Sequence, residues 1–108
     1  MSGSLGDMGN LLRQAQEMQR ELDRVRAELA GDVVEGTAGG GLVRVVVNGE
    51  GEVQAVEISD QVLGERPDRN AVEELVLTAL RDGISRAATL RKERLSKVTG
   101  GLNLPGMF

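Results

Sequence analysis

Apolar residues recur every three or four positions along the first part of the chain, which is the spacing of one face of a helix. The alternating intervals form an a/d heptad stripe of the coiled-coil type, held for three heptads. Glutamine, glutamate, arginine and alanine, which favour helix, fill the positions between. We expect a long helix over residues 7–30, whose apolar stripe consists of Met8, Leu11, Ala15, Met18, Leu22, Val25 and Leu29.

Three short segments follow, of which the second is rich in β-branched residues, and they predict strands over residues 32–38, 42–48 and 52–59. The dipeptide Asn48-Gly49 favours a type I′ hairpin turn, which needs positive φ at both central residues. Gly51 is placed to form a bulge just after that turn. Because the strands are joined by short links, we expect the sheet to be antiparallel.

A second helical pattern predicts a long helix over residues 70–98, where Asn70 and Glu73 have the spacing of a capping box. Gly83 falls inside this pattern and indicates either a bend or a close contact of the helix. The segment after it, residues 99–108, holds three glycines and a proline, so we expect a flexible tail.

The element order α-β-β-β-α predicts an α+β fold in one domain over residues 1–108. It consists of a three-stranded antiparallel sheet with two long helices. One helix is enough to cover one face of the sheet, so the first helix has apolar surface left over. A second copy of the chain is the natural partner for that surface, and we expect the fold to be completed by homodimerisation.

Composition excludes several classes of function. The chain has no cysteine and no histidine, which excludes disulfides, thiolate metal sites and the commonest general base. We expect no metal, no cofactor, no small-molecule substrate and no catalytic residue. No segment approaches the roughly 18 apolar residues of a membrane span, and the first residues lack the features of a signal peptide. The expectation is a cytoplasmic protein without a membrane partner.

Two features of the sequence resemble a nucleotide-binding loop and a catalytic pair of carboxylates, but each is better explained by a structural role. Gly36 and Gly41 have the interval of a phosphate-binding loop, but Leu42 follows where such a loop needs lysine and then a hydroxyl. Turns and bulges therefore explain these glycines better. Three nearby carboxylates could pair as acid and base, although a solvated strand face and turn is the favoured interpretation. They are Glu50, Glu52 and Glu57.

Charge is unevenly distributed along a chain whose net charge is −4. Residues 28–74 carry eleven acids and three bases, whereas residues 75–108 carry two acids and six bases. The basic surplus of the last helix could contact the phosphates of a duplex, above all from both chains of a dimer. In the first helix, acidic neighbours four residues away favour an internally paired, solvated face. The chain lacks tyrosine and tryptophan, so a stacking platform for single strands is not expected.

The apolar stripe of the first helix has two interpretations. It packs on the sheet of its own chain, as in any amphipathic helix, or it forms the seam of a dimer. Chain length and pattern together favour self-association, and the predicted interface consists of Met8, Leu11, Ala15, Met18, Leu22 and Val25.

Three stretches of the chain resemble the YbaB/EbfC family of bacterial nucleoid-associated proteins. They are GNLLRQAQEMQREL over residues 9–22, VVEGTAGGGLVRVVVNGEGEVQAVEIS over residues 33–59, and GGLNLPGMF over residues 100–108. The resemblance runs in order over nearly the whole chain. It implies a homodimer of tweezer-like outline in the nucleoid, which binds double-stranded DNA with little sequence specificity and alters its conformation. Nucleoid organisation and gene regulation are the implied roles.

The resemblance also implies which side chains contact DNA, since both long helices carry that role in the family. On matching positions these are Arg13, Arg20, Arg24, Arg81, Arg86, Arg91, Lys92, Arg94 and Lys97. This chain is rich in arginine and has no lysine in the first helix, and arginine serves phosphates at least as well. The alternative function is a homodimeric adaptor that recruits a protein of DNA repair or recombination.

Overall fold

The computed structural model describes residues 3–98 and residue 100. Its elements within that part of the chain are α1 (Gly3–Gly31), β1 (Val33–Ala38), β2 (Val43–Asn48), β3 (Val53–Ile58), α2 (Asp60–Leu63) and α3 (Arg69–Val98). The predicted α+β class, with three antiparallel strands and two long helices, is confirmed. The tail predicted over residues 99–108 lies outside the described residues, apart from Gly100.

The segment between the sheet and α3 differs from the prediction. The short helix α2 was not expected, and Ser59 caps it by accepting a hydrogen bond from the Gln61 N–H at 3.2 Å. The predicted capping box at Asn70 is wrong, because Asp68 accepts the hydrogen bond from the Asn70 N–H at 3.1 Å. An aspartate that caps from just outside the helix stabilises its first turn, so α3 begins one residue earlier than predicted.

The sheet has the order β1-β2-β3, with both strand pairs antiparallel. The predicted type I′ turn between β2 and β3 is wrong, since neither Asn48 nor Gly49 has positive φ. The Asn48 N–H instead donates to the Glu52 carbonyl at 2.9 Å, which closes a three-residue loop. Gly51 ends this loop at φ 90° and occupies the left-handed position that such loops require. The register shift of the β2–β3 ladder lies further on, at Gln54, because Val46 pairs with Ala55 and Val47 pairs with Val53.

The main core lies between the sheet and α3. Three valines of β2 are fully buried, together with Ala79 and Ala87 of α3. Of the two explanations for Gly83, a bend or a close contact of the helix, the close contact is correct. A Cβ atom at this position would lie 2.8 Å from methyl groups of Val45 and Val47. On β1, a Cβ at Gly36 would lie 2.2 Å from the backbone nitrogen of Gly83. This glycine pair lets the helix approach the strand directly.

A second core joins α1 to α3 and leaves much of α1 uncovered. Leu22, Val25 and Leu29 are buried against Leu95, with Met18, Leu90 and Val98 at the margin. Every side chain from residue 6 to residue 17 is exposed. The N-terminal half of α1 therefore extends beyond α3, and the molecule measures 80 × 23 × 16 Å.

Candidate nucleic-acid interface

The C-terminal half of α1 is fixed in place by the β2–β3 hairpin. Asn48 is only 3% exposed, and its side-chain amide donates to the Ala30 carbonyl at 3.3 Å. The Gly49 N–H donates to the Leu29 carbonyl at 2.9 Å. The last turn of a helix leaves carbonyls without partners inside the helix, and the hairpin satisfies two of them. The direction of α1 relative to the sheet therefore depends on this turn.

The packing of α1 on α3 brings basic residues of both helices to one groove. This α1–α3 groove has a volume of about 310 Å³, and its polar lining consists of Glu21, Arg24, Glu28, Arg94 and Lys97. The residues come from sequence positions about 70 apart and meet because α1 and α3 pack side by side. Three bases and two acids line the groove, and Lys97 is the one of these bases that forms no ion pair with another described residue.

Three of the predicted DNA-binding arginines form ion pairs within the chain. Arg24 pairs with both Glu21 and Glu28. The hydrogen bond that Arg24 donates to the Glu21 carboxylate raises the pKa of Arg24 and lowers the pKa of Glu21. Arg86 pairs with Asp82 at 3.1 Å, and Arg94 pairs with Asp32 at 2.8 Å. These exposed pairs hold the guanidinium groups, but at the surface they are weak enough to be exchanged for a phosphate.

Arg91 differs from the other bases of α3. It is half-buried and donates to the Glu50 carbonyl at 3.3 Å, so it supports the β2–β3 turn. The remaining five predicted residues are exposed and have no ion pair or hydrogen bond with any other described side chain. They are Arg13, Arg20, Arg81, Lys92 and Lys97. These five are free to meet an external anion.

The bases of α3 do not form one face. At 100° per residue, Arg81 and Lys92 lie within about 20° of each other, and Arg86 and Lys97 form a second such pair. The two pairs are about 140° apart around the helix. Lys97 belongs to the side that joins the α1–α3 groove, whereas Lys92 borders a separate pocket with Ala88 and Leu95. Only part of the predicted set can therefore contact one stretch of DNA from a single chain.

The predicted dimer interface on α1 is divided by the structure. Leu22 and Val25 are 7% and 5% exposed and pack inside their own chain, with Met18 partly buried beside them. Met8, Leu11 and Ala15 are exposed. A seam along α1 would thus be built from the exposed members alone.

A different apolar surface, the β3–α3 face, consists of Val53, Val56, Leu77 and Ile84, which are 40–46% exposed. Val56 pairs with the buried Val45, so it lies on the side of the sheet that α3 covers. Ile84 lies on the same side of α3 as Arg91, which contacts the β2–β3 turn. Strand β3 and this side of α3 therefore carry the exposed apolar residues of this face.

Two of the three neighbouring carboxylates, and the glycines of the first turn, have structural roles. The Glu57 carboxylate pairs with Arg44 at 2.9 Å, and the Glu52 carboxylate accepts from Asn48 at 3.2 Å. These contacts occupy both groups within the sheet and its turn. Gly39, Gly40 and Gly41 all have positive φ and form the β1–β2 turn, as the turn interpretation predicted.

Among the described residues, no helix is long and apolar enough to cross a membrane.

Some contacts at the interface could not be found from spacing. Arg94 and Asp32 are 62 positions apart, and Arg91 reaches a backbone carbonyl 41 positions away. By contrast, Asp82 precedes Arg86 by four residues in one helix, and that interval is a recognisable signal for a pair. Arg26, exposed on α1, is a further base outside the predicted DNA-binding set.

Comparison with known proteins assigns this arrangement to a family. A nucleoid-associated protein of Thermoanaerobacter pseudethanolicus is 39% identical over 94% of this chain and 91% of its own length. One of Chloroflexus aurantiacus is 43% identical over 91% of this chain and 95% of its own. An uncharacterized protein from Helicobacter pylori has the same fold, with a TM-score of 0.71 and 28% identity over 86% of this chain and 94% of that one. The model of the YbaB/EbfC DNA-binding family matches residues 5–102, and the chain belongs to that family.

Proposed function

We propose that this protein binds double-stranded DNA in the nucleoid through phosphate contacts, with little sequence specificity. The observation that carries the proposal is the set of five exposed bases that pair with no other described side chain, of which Lys97 lines the α1–α3 groove. Nucleoid organisation and gene regulation are the roles that such binding supports. The family is a DNA-binding one, and its relatives are named nucleoid-associated proteins.

The chemistry of the side chains favours phosphates over bases as the groups recognised. Arginine and lysine neutralise phosphates and release counterions, and this contribution to affinity does not depend on sequence. Sequence readout needs side chains that enter a groove of the duplex as a set on one element. The free bases here are spread over two helices and over two sides of α3, so they follow a backbone better than they read base edges.

We further propose that the protein acts as a homodimer that buries the β3–α3 face. Val56 and Ile84 are large apolar side chains with nearly half of their surface exposed, and burial of such groups stabilises an interface. A second copy would double the five free bases to ten. Only part of each chain's set can contact one stretch of DNA, so the dimer adds to the number of phosphate contacts, and each added contact strengthens salt-sensitive binding.

The DNA-binding proposal is tested by removing one free base from each long helix: Lys97 lines the α1–α3 groove, and Arg20 lies one turn before Arg24, which also lines it. Arg20→Gln combined with Lys97→Gln removes two positive charges without adding a negative one. We expect the affinity for a fluorescein-labelled duplex to fall at least about tenfold at about 0.1 M salt, because each lost phosphate contact costs nearly that factor. Fluorescence anisotropy measures the affinity, and two duplexes of unrelated sequence should give similar values.

Arg69→Gln is the control for the loss of one positive charge away from the groove. Arg69 is exposed at the other end of α3 and pairs with Glu73 at 3.0 Å. We expect this variant to bind DNA within about twofold of the unmodified protein, since the groove is untouched. Equal losses in the control and in the groove variant would place the binding surface elsewhere. A protein that dimerises but binds no duplex at low salt would favour the adaptor function.

Self-association is tested separately at the β3–α3 face. Val56→Asp places a charge in the middle of the proposed interface, and Ala55→Asp places the same charge at an exposed position on the other face of β3, where Ala55 pairs with Val46. Sedimentation equilibrium should give a monomer for the first and a dimer for the second. A dimer that survives Val56→Asp would mean that another surface, such as the exposed part of α1, joins the two copies.

A further inference from the structure

Strand β1 forms one edge of the sheet, and part of its backbone has no partner. Because the strand order is β1-β2-β3, only one side of β1 is paired with another strand. The Thr37 N–H points away from β2 and donates to the Asp82 carboxylate at 3.0 Å. Backbone groups of an antiparallel strand point to its two sides in alternate residues, so those of Val33 and Glu35 also point away from β2. No hydrogen bond joins these groups to another described residue.

A groove lies beside this open edge, between β1 and α3. This β1–α3 groove has a volume of about 570 Å³, and its lining includes Val34 and Glu35 of β1 and Leu90 of α3. Val34 is partly buried against the main core and Leu90 against the second core, so the floor of the groove is apolar. Where Gly36 touches Gly83, the helix lies directly on the strand and leaves no such space. The open part of the edge therefore has room and an apolar surface beside it.

The charged residues of the groove favour a basic occupant. Among the described residues that line it, Arg86 is the single base, and it is paired with Asp82 at 3.1 Å. Glu93 also lines the groove and forms no ion pair with another described residue. Glu35 has only a long contact of 3.8 Å with Arg44. The groove therefore has uncompensated negative charge, which attracts basic side chains and repels phosphates.

We propose that the β1–α3 groove binds an extended basic segment of another protein, which adds a strand to the edge of β1. Backbone hydrogen bonds to Val33 and Glu35 hold the segment, as in other complexes formed by strand addition. Side chains of a strand alternate between its two faces, so the segment has the pattern basic–apolar–basic. Its apolar side chain lies on the α3 side, beside Val34 and Leu90, and its basic side chains lie on the other side, near Glu35.

Two other occupants fit the groove less well. A second copy of the chain would bring its own Glu35 and Glu93 to the same place, where like charges repel. A DNA backbone would be repelled by the same carboxylates. The proposal therefore does not depend on whether the protein binds DNA, and it supplies the docking surface that the adaptor function needs.

A matched pair of substitutions at Glu35 tests the backbone contact. Glu35→Gln and Glu35→Pro remove the same charge, but only proline also removes the N–H donor. Proline is tolerated on an edge strand where the N–H faces away from the sheet, so the pairing with β2 is retained. Circular dichroism checks that both variants are folded.

The probe is a short synthetic peptide with blocked ends, of the sequence threonine–lysine–valine–lysine–threonine, and NMR titration of the full chain measures its affinity. We expect Glu35→Gln to bind the peptide within about fivefold of the unmodified protein, since an exposed charge pair contributes little. Glu35→Pro should bind at least about tenfold more weakly than Glu35→Gln, because a backbone hydrogen bond is lost. A peptide with glutamate in place of both lysines should bind at least about fivefold more weakly than the probe.

The unmodified protein gives the position of the peptide. The probe at millimolar concentration should shift the amide signals of Val33 and Glu35 and the methyl signals of Val34 and Leu90. No shifts, or shifts that leave these four residues unaffected, would overturn the proposal, as would equal affinities of the two Glu35 variants. The same amide shifts on concentrating the protein without peptide would mean that a second copy occupies the edge.

A test on the peptide does not depend on the folding of a protein variant. Methylation of a peptide nitrogen removes its donor, and only alternate residues of an added strand bond to β1. One probe is methylated at both lysine nitrogens and the other at the valine nitrogen. We expect their affinities for the unmodified protein to differ at least about tenfold. Equal affinities would overturn strand addition.

Discussion

Asn48→Ala is expected to destabilise the protein strongly, because this buried side chain joins three segments. Its Oδ1 atom accepts from the Glu50 and Glu52 N–H groups at 3.0 and 2.9 Å. Its Nδ2 atom donates to the Ala30 carbonyl at 3.3 Å and to the Glu52 carboxylate at 3.2 Å. Two well-formed bonds contribute about 1 kcal/mol each and two longer ones about half as much, which gives about 3 kcal/mol in total.

Urea unfolding followed by circular dichroism at fixed protein concentration measures this loss. The matched control is Asn70→Ala, since Asn70 is exposed in the first turn of α3 and should change stability by less than about 0.5 kcal/mol. A loss below about 1 kcal/mol for Asn48→Ala would refute the view that this side chain fixes the end of α1. We also expect weaker DNA binding by the folded variant, because the α1–α3 groove depends on the direction of α1.

Two further predictions concern α3. Gly36→Ala should lower the free energy of unfolding in urea by more than about 2 kcal/mol, because the new Cβ atom would overlap the Gly83 backbone. In the control Gly31→Ala the new Cβ atom meets no atom within 4 Å, so this variant should be as stable as the unmodified protein or more stable. Equal effects of the two substitutions would contradict the close approach of β1 and α3. The hydrogen bond that the Thr37 N–H donates to the Asp82 carboxylate, with Arg86 beside it, lowers the pKa of Asp82. The ionised Asp82 therefore stabilises the folded protein fully above the pKa of an ordinary aspartate, about 3.9, and this stabilisation is lost as the pH falls through the lower pKa of the folded state. The difference in urea midpoint between the unmodified protein and Asp82→Asn should therefore shrink between about pH 5 and pH 2, and a constant difference would refute the assignment.

The fold was predictable where the signals are local. Apolar spacing predicted both long helices, and the β-branched run of β2 with Asn48-Gly49 predicted the hairpin. The turn type was wrong because the Asn48 side chain bonds the turn and α1, a tertiary contact that a dipeptide preference does not include. The contact between Gly36 and Gly83 was likewise beyond prediction, because the two glycines are far apart in sequence and only the packed fold brings them together.

The sequence predicted which basic residues belong to the candidate site better than it predicted how they are arranged. Counting charges identified the basic surplus of the last helix, but not which bases are free. Arg94 is held by Asp32 across the α1–α3 contact, and Arg91 is held by a turn of the sheet. The apolar stripe of α1 has the same spacing whether it faces its own chain or another one. Only the packed structure separates Leu22, which is buried against α3, from Leu11, which is exposed.

The salt dependence of duplex binding tests the proposed function most directly. Binding through phosphates requires the logarithm of the association constant to fall linearly with the logarithm of salt concentration, with a slope near −0.9 for each phosphate neutralised. Lys97→Gln should make that slope smaller by about 0.9 for a monomer and by about 1.8 for a dimer, since a dimer loses two contacts. Affinity that stays constant between about 50 and 200 mM salt, or no binding at the lower concentration, would contradict phosphate-directed DNA binding by this protein.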